Sequence, residues 1–119
     1  YLHKNFKDNT GGSFRGVGLI DGKAFKTKKL VRFGYIEIEA KSDSVLMKKN
    51  QKIRSHEFHY FDSTNNGEYA HALKANKSKE WDCINAYENI FAGFPHIYLR
   101  GYEFLIENLI EYLERKSNV

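Results

Sequence analysis

Between Tyr35 and Ala40 the chain alternates apolar and charged residues, Tyr35-Ile36-Glu37-Ile38-Glu39-Ala40. A repeat of two sends successive side chains to opposite faces of a strand, so residues 32–40 are predicted as a half-buried strand with Ile36 and Ile38 facing a core. Residues 52–61 read as a second strand, rich in aromatics and ending in the polar run Asp62-Ser63-Thr64-Asn65-Asn66-Gly67. The Asn-Gly pair is a hairpin signal, and with a strand over 68–74 it predicts a β-hairpin. Shorter signals surround these. Residues 17–20 form a short strand closed by Asp21-Gly22, residues 7–12 a loop, and residues 76–79 a lysine-rich turn. Residues 81–84 and 88–91 read as two short strands around a turn. The period changes after Gly101: Tyr102, Leu105, Ile106, Leu109 and Leu113 recur at i, i+3, i+4, i+7 and i+11. This places one apolar stripe on a helix over 102–114, with Glu111 and Arg115 as a favourable i,i+4 pair.

Several strands ending in one amphipathic helix predict a mixed α and β domain. A doubly wound sheet starts with strand-helix-strand units, and here only the terminal portion of that pattern is present. The first residues, from Tyr1, open on an aromatic without a capping signal and read as the tail of an element begun upstream. At 119 residues, 41% hydrophobic and with one proline, the chain is one small domain or part of a larger one. No apolar run approaches the roughly 18–20 residues that span a bilayer and there is no secretory pattern, so a soluble, cytoplasmic protein is expected. The single Cys83 excludes an internal disulfide and a cysteine zinc site.

The net charge of +4 permits an acidic partner but falls short of a strongly cationic nucleic-acid binder. Its distribution is uneven. Lys23, Lys26, Lys28, Lys29 and Arg32 form one basic cluster, Lys48, Lys49, Lys52 and Arg54 a second, whereas the helix carries Glu103, Glu107 and Glu111. Such clusters are either a solvated face or a site for a polyanion or multiply carboxylated small molecule. The aromatics mostly fall at core parity in the predicted strands, which argues against base stacking.

Phosphate-cradling GxxxxGK[ST] and GxGxxG loops and a HExxH zinc motif are absent. Chemistry therefore rests on histidines and carboxylates. On a strand, His56 projects with Phe58 and Tyr60, and His59 with Glu57 and Phe61, so the two imidazoles point apart and no metal site is expected. His96 follows Gly93 and Pro95 at a strand end just before the last helix, a position where open α/β sheets hold reactive groups; it is a candidate general base. Cys83 has neither an elbow nor a helix N-terminus to activate it and reads as structural.

Three segments in order, Arg32-Phe33-Gly34-Tyr35, Ser55-His56-Glu57-Phe58-His59-Tyr60 and Phe94-Pro95-His96-Ile97-Tyr98, resemble the C-terminal glutamine amidotransferase domain of the cobyrinic acid a,c-diamide synthase family. Gly16-Val17-Gly18-Leu19-Ile20 and Lys28-Lys29-Leu30 extend the likeness over most of the chain. The resemblance implies the C-terminal part of a flavodoxin-like, class I glutamine amidotransferase domain. It assigns the base to His96 and a site-lining or substrate-binding role to His56, Glu57 and His59. It places the nucleophile in a Cys-Gly-Gly-x-Met element just before Tyr1, with residues 1–3 continuing into the helix that leaves the elbow. Where many triad amidotransferases carry His-Pro-Glu, Ile97-Tyr98 follows His96, so the orienting carboxylate is missing at that position.

The family's ligase domain uses ATP and Mg2+ to activate the a and c carboxylates of cobyrinate, which ammonia from glutamine then amidates. The resemblance thus implies glutamine, ATP and cobyrinate as substrates of the whole enzyme, no cofactor within this fragment, and no activity of the fragment alone. Lys28 and Lys29 are candidates to face the corrinoid carboxylates. Unpaired strand edges would permit a homodimer or other self-association. A related amidase, such as cobyric acid synthase or the amidase of nickel coenzyme F430, is one alternative. A non-catalytic basic interaction module is another.

Overall fold

A computed structural model describes residues 1–8 and 10–118; Asn9, within the predicted 7–12 loop, lies outside the described residues. The alternating segment forms β4 (Arg32–Ala40), the centre of a five-stranded antiparallel sheet ordered β11-β5-β4-β7-β8. It pairs with β5 (Lys52–His59) and β7 (Ala70–Lys74), which pair in turn with the two-residue β11 (His96–Ile97) and with β8 (Glu80–Cys83). Register follows the apolar parity: Ile38 lies opposite Ile53 on one side and Ala72 on the other, and Ala40 opposite Ala70. One sheet face thereby gathers Ile36, Ile38, Ala40, Ile53, Ala70 and Ala72 into a core closed by Met47, Ile84 and Leu105. Each large side chain fully buried there contributes about 1.5–3 kcal/mol.

A second sheet, ordered β2-β1-β3-β6, comprises β1 (His3–Lys7), β2 (Ser13–Arg15), β3 (Ile20–Lys26) and β6 (Phe61–Ser63). Its β1–β3 pair is parallel. β9 (Asn85–Tyr87) and β10 (Ile90–Ala92) form a separate hairpin. A 3-10 turn at Leu99–Gly101 leads into α1 (Glu103–Ser117). The helix docks through buried Leu105 and through Asn108, whose Nδ2 donates to Leu46 O at 3.0 Å and Gln51 Oε1 at 2.8 Å. The Arg54 N–H donates to the Tyr102 hydroxyl at 2.7 Å. The fold is thus mixed α and β, strand-rich with one C-terminal helix, and among the described residues no helix is long and apolar enough to cross a membrane.

Several local expectations are corrected. Residues 1–3 do not begin a helix; His3 opens strand β1, because its backbone pairs with β3. Asp21-Gly22 does not close a strand but lies inside β3, where Gly22 adopts φ +132° and lets the strand continue. The predicted hairpin between 52–61 and 68–74 is not formed, since β4 lies between β5 and β7. Its supposed tip is occupied differently: Gly67 is buried with φ +90°, and a β-carbon there would stand 2.2 Å from the Ile84 carbonyl. Of the two short strands expected over 81–91, the first belongs to the large sheet and the hairpin starts only at Asn85. On α1, Ile106 and Leu113 of the predicted stripe remain exposed, because Asn108 takes the inward position through its hydrogen bonds. Glu111 reaches outside the helix to Lys48 at 2.7 Å.

The Gly67 geometry carries an expectation. Gly67→Ala combines left-handed backbone with a backbone clash, so it should lower unfolding free energy by about 1–3 kcal/mol or more, read as a reduced urea midpoint with unchanged slope.

Candidate functional site

The large sheet has a core face and an open face, and the motif residues divide between them. On the open face, antiparallel pairing sets His96 directly opposite His56, and His56 opposite Tyr35. The His56 and His96 rings lie 6.2 Å apart, and Tyr35 meets the His56 edge at 5.1 Å. Phe33, Tyr35, Phe58, Tyr60 and Tyr98 are all exposed around them. This corrects the expectation that the aromatics fall at core parity: Phe33 and Tyr35 have the parity opposite to Ile36, and Phe58 that opposite to Ile53. An open cavity of about 570 Å³ adjoins Trp81 and Lys79, and a separate one of about 620 Å³ is lined by Tyr35, Arg54, His56, Lys74, His96 and Tyr98. The second holds an exposed imidazole beside aromatic walls and cationic side chains, which suits proton transfer on a ligand bearing a carboxylate.

His96 owes its place to few contacts. β11 is an edge strand of two residues, held by pairing with His56 and Ser55. The Ser55 hydroxyl donates to the His96 carbonyl oxygen at 2.5 Å. Among the described residues the His96 ring hydrogen-bonds to no carboxylate.

Glu57 and His59 turn inward, as parity requires. Glu57 is 2% exposed, with the Arg32 Nε at 3.6 Å and His59 Nε2 at 3.3 Å from its Oε2. His59 Nδ1 faces the Phe61 carbonyl at 2.6 Å, so both ring nitrogens meet acceptors. The ring lies flat on Phe94, centroids 4.1 Å apart and planes 11° apart. The Arg32 guanidinium covers Trp81 at 4.6 Å. Gly34, opposite Glu57, adopts φ +120°, a backbone conformation that favours glycine.

The expected site residues are therefore brought together only in part: His56 joins His96, whereas Glu57 and His59 form a buried cluster on the other face. Lys28 and Lys29 sit exposed in the connection from β3 to β4 and do not line the cavity containing His96. Sequence reasoning missed Arg32 as a partner of Glu57 and Trp81 as the ring beneath Arg32. The available signal was two opposite charges, Arg32 and Glu57, each at core parity on its strand. Among the described residues no three or more His, Cys, Asp or Glu side chains are arranged to hold a metal ion.

Two other titratable groups are explained by burial. Cys83 is buried, and desolvation, reinforced by Glu57, pushes its thiol up to about 12. It should resist alkylation by iodoacetamide at pH 8 in the folded chain and react in urea. His3, hydrogen-bonded to Ser63 Oγ at 2.5 Å, is held below the ordinary histidine value of 6.5 by burial. The unfolded chain therefore takes up this proton first, so His3's contribution is complete above about pH 6.5 and is lost as the pH falls toward the folded value. The urea midpoint should drop between pH 7.5 and 5.5, and His3→Gln should weaken that dependence.

No family model matches the chain. Curated proteins do. It is 37% identical over 120 residues to a cobyrinate a,c-diamide synthase of Caldanaerobacter subterraneus subsp. tengcongensis, covering 99% of this chain and 26% of that protein. The chain is homologous to part of the cobyrinate a,c-diamide synthases. The synthase of Fusobacterium nucleatum is 34% identical over 90% of this chain and 24% of its own length, and that of Thermoplasma acidophilum 30% identical over 92% and 25%. The chain thus spans about a quarter of the length of the curated synthases it matches. The cavity containing His96 and the buried Glu57 cluster both lie within the matched part of the Caldanaerobacter synthase, which takes in nearly the whole chain.

Proposed function

We propose that this chain supplies the histidine half of the glutaminase site in a cobyrinate a,c-diamide synthase, an ATP- and glutamine-dependent enzyme of cobalamin biosynthesis. The observation carrying this reading is His96, exposed at a strand end over an open cavity, in a chain homologous throughout to such synthases. A cysteine outside the chain is the nucleophile, and the segment bearing it covers the exposed aromatic face around His56 and His96. The burial of Cys83 and the upward push on its thiol argue against it as that nucleophile.

In this reading His96 takes the thiol proton as sulfur attacks the glutamine amide carbon, and returns it to nitrogen as the C–N bond breaks and ammonia leaves. The resulting thioester is hydrolysed by water that His96 deprotonates, giving glutamate and free thiol. Arg54 and Lys74, which line the same cavity, attract the substrate's α-carboxylate. ATP with Mg2+, bound in a ligase domain outside this chain, activates the a and c carboxylates of cobyrinate as acyl phosphates, and ammonia displaces the phosphate. Lys28 and Lys29, exposed in the connection from β3 to β4, meet the corrinoid's carboxylates in this reading.

The test compares ammonia release from glutamine by this chain alone and by the polypeptide containing it together with the upstream segment and ligase domain. The chain alone should release none, and the longer polypeptide should release ammonia and amidate cobyrinate. Release by the chain alone, persisting in Cys83→Ser, contradicts the assignment.

A further inference from the structure

We infer that Glu57, His59 and Phe94 form a positioning device that sets His96, an inference that rests on the proposed glutaminase reading. β11 is too short to fix a side chain by itself. Two residue pairs on a sheet edge leave the strand free to twist and fray, and a base misplaced by about 1 Å can lose a hundredfold in rate. The segment enters β11 through Phe94-Pro95, and Phe94 is held from below. Its ring rests in parallel on His59, which cannot turn without breaking hydrogen bonds on both edges, to the Phe61 carbonyl and to Glu57. Glu57 is fixed in turn by its burial and by Arg32, itself pinned over Trp81.

The Ser55 hydroxyl, buried on the same inward parity of β5, also holds the His96 carbonyl. One strand, β5, therefore anchors His96 at two points on its inward side, Ser55 at the backbone and Glu57–His59 through Phe94. This assigns the inward half of the His-Glu-Phe-His-Tyr element a task distinct from catalysis: neither Glu57 nor His59 reaches the open cavity where His96 is exposed. It also supplies a substitute for the carboxylate absent after His96, acting on the backbone that carries the imidazole rather than on the ring.

The test is a double-mutant cycle on glutaminase turnover in the full enzyme. His59→Ala and Phe94→Ala should each lower kcat about 10- to 100-fold with KM for glutamine changed far less. The double variant should be no worse than the poorer single one, because the pair acts as a unit. Phe94→Tyr, which keeps the stack, should restore turnover, and the acidic limb of the kcat/KM profile should move in the alanine variants but not in Phe94→Tyr. Folding is followed by the thermal midpoint. If His59→Ala fails to fold, His59→Gln gives the same cycle, removing the stack while keeping a hydrogen-bonding side chain. Folded Phe94→Ala enzyme with unchanged kcat, or single effects that simply multiply, overturns the inference while leaving the glutaminase reading intact. Unchanged ammonia release in His96→Ala overturns both.

Discussion

Replacing His96 by alanine in the complete enzyme is expected to cut glutamine-dependent amidation by about 10²–10⁴-fold, the usual worth of a positioned general base. The fold should be indifferent to the change, because the imidazole is exposed and β11 is held by backbone pairing and by the Ser55 hydroxyl on the His96 carbonyl. The loss should be specific to the nitrogen source. Supplying ammonium salt bypasses glutamine hydrolysis, so amidation should return toward the unmodified rate. His56→Ala, which removes a neighbouring ring 6.2 Å away, should have a smaller effect. Equal losses with glutamine and with ammonium would mean that His96 serves folding or domain contact instead.

The second large effect concerns stability. Glu57→Ala should lower unfolding free energy by about 2–4 kcal/mol, around and below the lower end of the roughly 3–5 kcal/mol cost of breaking a buried ion pair. The substitution leaves Arg32 and His59 without their shared acceptor and opens space beneath β4. Arg32 retains access to water, its side chain being 26% exposed, which limits the cost of leaving it unpaired. Glu57→Gln preserves the shape and one acceptor oxygen and should cost less. Urea unfolding of the two variants separates the loss of charge from the loss of volume.

The central strand was legible because one residue type decided it: a period of two with isoleucine on one parity admits a single burial, and β4 formed with the predicted bounds. His56 and His59 were also separable by parity alone. The hairpin was misread because Asn66-Gly67 reports a local turn and carries no information on which strand pairs beyond it. The backbone crowding of Ile84 on Gly67, a contact distant in sequence, explains that glycine better. The exposed aromatics were misjudged because hydrophobicity was allowed to outweigh parity at Phe33, Tyr35 and Phe58. Arg32 and Glu57 were not paired in advance, since the intervening 41–51 connection hides the register that brings their strands together. On α1, the polar Asn108 on the buried side was missed because an apolar stripe takes no account of side chains that cap a loop's carbonyls.

The most direct measurement of the central claim is covalent trapping with a diazoketone analogue of glutamine, which alkylates the thiolate of a glutaminase site, followed by peptide mass spectrometry. On the complete enzyme, labelling is expected on a cysteine outside these 119 residues, slowed strongly by His96→Ala and unaffected by Cys83→Ser. Labelling on Cys83, or labelling that proceeds at full rate without His96, would contradict the account.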